Sequence, residues 1–155
     1  MRTDDMGKVL VPARIESLED LYQAQRGALK DDEVRRVDVP DALVDTGAIG
    51  LMVPKRYVSQ LGLRPLRQRT ARTVGGDIPV TIYNAVRLTV DGRDCSLDVY
   101  EVSDDLPVLI GQIPLEALDF VVDPVNRRLI GNPEHGGHHM IDAFAIRLPT
   151  PRPDR

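Results

Sequence analysis

Asp45 stands in the run Ala42-Leu-Val-Asp-Thr-Gly-Ala-Ile-Gly-Leu-Met-Val-Pro54. A carboxylate placed directly after three apolar residues and directly before Thr46-Gly47 has two readings. It opens an Asx turn whose glycine supplies a positive φ, or it is a working carboxylate presented at the end of a buried strand. Cys95 is the one other classical nucleophile of note. It sits in Gly92-Arg-Asp-Cys-Ser-Leu-Asp-Val99, a strand-like stretch with no histidine nearby in sequence, and reads as a buried or half-buried structural residue. A single cysteine forms no internal disulfide and suits a reducing compartment.

The elements that must position Asp45 are mostly extended. Residues 8–17, rich in β-branched side chains, read as a strand. Ser17 is a good N-cap with Asp20 three residues on, so a short helix follows and stops near Gly27. Val34, Val37 and Val39 alternate with charges. Pro40-Asp41 mark a turn or strand edge before Ala42-Leu43-Val44, which reads as a short buried strand. Residues 51–54 form another apolar run, and residues 55–62 fit a helical turn or a loop. Two extended arms flank Gly75-Gly76-Asp77, which reads as a hairpin tip, and Asp91-Gly92 is a second hairpin turn. A short helix is expected near Pro114 and a last hairpin through Pro124-Val125-Asn126. Many short strands at regular spacing indicate an all-β barrel or sandwich.

The totals agree with one ordinary globular domain: 155 residues, 42% hydrophobic, 28% charged. A net charge of −4 and an aromatic content of 4% without tryptophan argue against a nucleic-acid partner or an anionic membrane. No apolar run is long enough for a leader or a membrane span, and a cytoplasmic location is expected. The expected organisation is a disordered N-terminus over 1–7 and a single domain over 8–132. Within it, 8–33 is the N-terminal strand and helix and 34–132 the core, with a tail over 133–155. Residues 140–148 could add one strand. His135, His138 and His139 read as part of a solvated tail rather than a metal site, and Asp104-Asp105 as a β-turn rather than a calcium loop.

In chain order, the Asp45-Thr46-Gly47-Ala48 run, the Gly75-Gly76 tip and Val108-Leu-Ile-Gly111 followed by a short helix resemble the retropepsin-like aspartic proteases. The resemblance spans roughly Val34 to Asn132. It implies a closed all-β barrel with one or two short helices, acting as a C2 homodimer on a peptide or protein substrate, with no cofactor and no metal. It implies that Asp45 is catalytic. Two carboxyls sharing one proton are needed, one ionised to activate water and one protonated to polarise the carbonyl. One Asp-Thr-Gly per chain means the second comes from a second copy.

By the same resemblance, Thr46 hydrogen-bonds across the dimer axis, Gly47 lets backbone approach the carboxylate, and Leu109, Ile110 and Gly111 brace the loop. Residues Val74, Gly75, Gly76, Asp77 and Ile78 belong to a flap that closes over substrate, with Ile49 lining the cleft. Ala48 carries no hydroxyl to donate to a neighbouring carboxylate, so the expected optimum lies between mildly acidic and neutral pH. Two residues depart from the pattern: Ile49 is bulkier than usual, and Gln112 stands where viral members carry an arginine. A catalytically weak peptide-binding module of the same fold is the alternative reading.

Overall fold

The computed structural model describes residues 8–143. In chain order the elements are β1 (Val9–Ser17), α1 (Leu18–Gln25), β2 (Arg36–Val44), β3 (Leu51–Pro54), α2 (Lys55–Gln60), β4 (Pro65–Thr73), β5 (Gly76–Val90), β6 (Arg93–Val102), β7 (Leu109–Ile110), α3 (Gln112–Leu118), β8 (Phe120–Asp123) and β9 (Arg128–Gly131). Short 3-10 turns lie at 31–33 and 133–135. Strands run in the order β1-β2-β7-β3-β6-β5, and β1 also pairs with β5, so six strands close on themselves. Strand β4 extends this barrel beyond β5 as one arm of a hairpin, and β8 and β9 make a separate two-stranded sheet.

The ladder aligns Val9, Val44, Ile110, Leu51, Val99 and Tyr83 in one row across the six barrel strands. Ile110, Leu51 and Val99 are fully buried, and the row forms the middle of a core completed by Ile15, Val53, Leu61, Val86, Leu88 and Leu118. Each such side chain contributes about 1.5–3 kcal/mol through removal from water. Closure pairs β1 with both β2 and β5, and β2 with both β1 and β7, which is how a barrel reduces the unpaired groups of a sheet.

Local chemistry explains the boundaries. The Ser17 hydroxyl accepts from the Asp20 amide at 3.2 Å and starts α1. Asp91 and Gly92, with φ of 47° and 78°, make the tight turn between β5 and β6. The residues read as two strands around Pro40 form one strand, β2. The register with β1 skips at this point, so Pro12 faces Pro40-Asp41 in a bulge. Proline has no N–H for the ladder, and the bulge is where none is required.

Residues 55–60 are helical. Pro54 offers no side-chain cap, and the carboxylate of Asp104, brought in from the β6–β7 turn, accepts from the Arg56 amide at 2.8 Å instead. The first hairpin turns one residue earlier than expected. Val74-Gly75 are the turn, Thr73 pairs with Gly76, and Asp77 lies inside β5 opposite Arg72. The Thr73 hydroxyl donates to the Gly76 carbonyl at 2.6 Å and closes it.

The C-terminal segment also departs from expectation. His135 is not solvated: its side chain is 10% exposed and lies 2.6 Å from the buried carboxylate of Asp119. A buried carboxylate requires donors, and the segment supplies them. Residues 140–143 form no strand. The expected disorder of 1–7 and the remainder of the possible strand to 148 lie outside the described residues.

Candidate active site

Asp45 lies one residue beyond β2 and extends its pairing with β7: its amide donates to the Ile110 carbonyl at 2.9 Å. The chain then turns, with the Ala48 amide donating to the Asp45 carbonyl at 3.1 Å. The Gly47 amide donates to Asp45 Oδ1 at 2.9 Å. The carboxylate closes an Asx-type turn and remains half-exposed, but the positive φ expected of Gly47 is not found. It forms no ion pair among the described residues. A Cβ on Gly47 would lie 3.1 Å from Asp45 Oδ1, so glycine keeps the carboxylate close to the backbone.

The loop is held from below by the segment that follows β7. Gly111 donates to the Gly50 carbonyl at 2.9 Å, Gln112 to the Ala48 carbonyl at 2.8 Å, and Ile113 to the Ile49 carbonyl at 2.9 Å. These donors are three consecutive amides at the start of α3, groups that a helix leaves without internal partners. A Cβ on Gly111 would meet the carbonyl oxygens of Ala48 and Gly50 at 2.5 Å each. The Gly111 φ is −88°, so the requirement for glycine is close approach, not unusual backbone. Leu109 pairs with Leu43 and Ile110 with Val44 in parallel register, which sets the height of Asp45 above the sheet.

The structure thus brings Asp45, Thr46, Gly47, Ala48, Ile49, Leu109, Ile110 and Gly111 into one assembly. Val74, Gly75, Gly76, Asp77 and Ile78 are all exposed on the projecting β4–β5 hairpin. Thr46 and Ile49 are exposed, Ile49 at 63%. Ile113, bonded to Ile49 through the backbone, is 50% exposed. Loop and helix therefore present adjacent apolar side chains to solvent.

A second row of side chains went unnoticed in the sequence. Leu10, Leu43, Leu109, Met52, Tyr100 and Ile82 are aligned by the same ladders, one residue displaced from the core row. Alternation turns them to the opposite face of the sheet. Asp45 shares the parity of Leu43, so the carboxylate leaves the barrel on this apolar face. The Tyr100 ring packs against the backbone of Gly50; a Cβ there would lie 2.6 Å from Tyr100 Cε2. Period-2 alternation within each strand was the available signal, but alignment across strands needs the register.

Other reactive groups are structural in setting. Burial, then Asp94, pushes the Cys95 thiol up to about 11, which disfavours the thiolate. A hydrogen bond to Glu101, with burial, raises Tyr83 to about 12. Among the described residues no three His, Cys, Asp or Glu side chains are grouped to hold a metal, and no helix is long and apolar enough to cross a membrane.

The family model described as aspartyl protease matches residues 32–113, more than half of the 155 residues. No curated protein matches the sequence. The matched segment begins before β2 and ends at the amides that hold Ala48 and Ile49, so it encloses the whole support of the Asp45 loop, and the chain belongs to the retropepsin-like aspartyl proteases.

Proposed function

We propose that this chain is an aspartic endopeptidase whose centre forms from Asp45 of two copies related by a two-fold axis. The observation that carries the reading is the isolation of a rigidly supported carboxylate. Four backbone hydrogen bonds between the loop and β7 and α3 fix it at Asp45, Ala48, Ile49 and Gly50, yet among the described residues the side chain takes one amide bond and no cation. A half-exposed carboxylate on so fixed a backbone keeps acceptor capacity free for a water or a second carboxyl. Beside it, Thr46, Ile49 and Ile113 are exposed in a patch suited to a second copy.

In the assembled dimer one carboxylate takes a proton from the water held between the two, and the water oxygen attacks the peptide carbonyl carbon. The other carboxyl gives its proton to the carbonyl oxygen. Collapse of the tetrahedral adduct breaks the C–N bond as the amine receives a proton from one carboxyl and a hydroxyl of the adduct returns a proton to the other, which restores the one-proton pair. Two like charges at this spacing do not ionise together, so the pair titrates as a unit. Thr46 pins the two loops to each other. The Leu43, Leu109, Met52, Tyr100 and Ile82 row receives apolar side chains of a substrate lying as an extended strand. The β4–β5 hairpin, with Val74 and Gly75 at its tip, covers the substrate and excludes water.

The test is cleavage of a peptide library by wild type and Asp45→Asn, between about pH 4 and about pH 8. Asparagine preserves the acceptor for Gly47, so the fold survives while cleavage is lost. Equal cleavage by both proteins would remove the enzymatic reading.

A further inference from the structure

The start of α3 holds the Asp45 loop, and its far end is tied down by the C-terminal segment. Asp119, buried at 6% and left-handed (φ 57°), is the C-cap of α3 and the anchor. Its carboxylate lies 2.6 Å from His135 Nδ1, accepts from Asn132 Nδ2 at 3.1 Å and accepts from the Met140 amide at 3.0 Å. The other imidazole nitrogen, Nε2, lies 3.0 Å from Asp142 Oδ1. Among the described residues these two carboxylates are the charges that bond the imidazole.

Arg93, from β6, spends its guanidinium on the carbonyls of Leu118, Asp119 and Gly137. His139 Nε2 lies 3.0 Å from the Ala117 carbonyl, and the His138 ring packs beside Gly136. Glu134, on the same short turn as His135, is exposed and gives its amide to Asn132.

An imidazole between two carboxylates satisfies both only with a proton on each nitrogen. Neutral, it has one N–H and turns a lone pair toward the other carboxylate. Hydrogen bonds donated to Asp119 and Asp142 raise His135 above its ordinary value. His135, then the Met140 amide and Asn132, hold Asp119 down to about 2.

We propose that residues 132–142 form a pH-gated clasp on α3, closed while His135 is an imidazolium bridging Asp119 and Asp142 and open at its Asp142 arm when His135 is neutral. A raised folded value means the bridge is complete below the ordinary histidine value of about 6.5 and is lost as pH rises through the raised one. Asp119 keeps its donors from Asn132 and Met140, so opening is confined to residues beyond Met140. At the acid end the Asp119 arm fails only as pH falls toward the depressed value of that carboxylate.

The test uses the full chain and no cleavage assay, so an inactive protein still reports on the clasp, and an active one without it would lose this proposal alone. NMR follows the His135 ring nitrogens and the backbone order of residues 141–143 from about pH 5 to about pH 8.5, either side of the ordinary histidine value. The expected result is loss of order with the same midpoint as His135. In Asp142→Asn, a surface change, that midpoint falls by about one pH unit, and residues 141–143 are mobile throughout. Order that is unchanged across the range, a midpoint unrelated to His135, or a variant that titrates like wild type overturns the proposal.

Discussion

Asp20 and Arg35 form a two-pronged ion pair: Arg35 Nε donates to Oδ2 at 2.8 Å and Nη2 to Oδ1 at 2.9 Å. The Arg35 amide adds a third bond to Oδ2 at 3.0 Å. The pair joins the first turn of α1 to the entry of β2, and Gly62 covers the guanidinium. Asp20→Ala leaves the arginine and an amide without their acceptor. A loss of about 2 kcal/mol is expected, reduced from the value of a buried pair because the Arg35 side chain is half exposed. Urea unfolding measures it. The Arg35 hydrogen bond lowers Asp20, so this stability is present above the ordinary aspartate value and is lost as pH falls through the lowered one.

Gly62→Ala tests the same contact from the other side. A Cβ there would fall 1.8 Å from Arg35 Nη1, at a φ of +59°. Both strain and collision act, and the melting temperature is expected to drop by more than Asp20→Ala alone produces. A neutral result in thermal unfolding would show that the arginine moves aside at no cost.

Gly111→Ala drives a methyl into two backbone oxygens, which cannot swing away as a side chain would. Overpacking of this kind costs about 1–3 kcal/mol, and the displaced groups are Ala48 and Gly50. Cleavage should fall further than stability, because the loop bearing Asp45 moves. Parallel loss of both, in proportion, would argue that the glycine serves the fold alone.

Asp45→Asn subunits added to wild type should poison it. With equal amounts and random pairing, about a quarter of dimers retain two aspartates, and activity should follow that fraction once exchange is complete. Activity that declines only by dilution would mean that each chain works alone.

Ala48→Ser puts a hydroxyl beside the carboxylate turn. Wild type is expected to cleave best between mildly acidic and neutral pH, and the serine variant to shift its optimum toward acid, because a donor to the ionised form favours ionisation. A pH–rate profile of wild type peaking near pH 2 would contradict the first half, and superimposable profiles the second.

Much of the fold was legible because it is written locally. Ser17 capping α1, the two positive φ angles at Asp91-Gly92 and the apolar run into Asp45 each involve residues within a few positions. Leu109 and Ile110 lie beside the strand that leads into Asp45, whereas the Gln112 and Ile113 amides that hold Ala48 and Ile49 carried no signal in the sequence. What stayed hidden depends on register or on distance along the chain. Pro12 meeting Pro40-Asp41 is a two-strand event, and neither strand alone announces it. The Leu10 to Ile82 row needs six strands aligned. Asp119 and His135 stand sixteen residues apart in a stretch without periodicity, where no pattern advertises a partner. Asp104 capping α2 is a partnership across 48 residues.

Strand β7 is two residues long, yet it lies between β2 in parallel and β3 in antiparallel register. A chain emerging from the ribosome carries Asp45 well before it carries Ile110 to Ile113. Until those residues arrive, the aspartate has no ledge to rest on, and long-range pairings of this kind form late. A half-made polypeptide therefore holds the carboxylate in an unbraced loop, and translation order delays the support of Asp45 until nearly the whole barrel has been made.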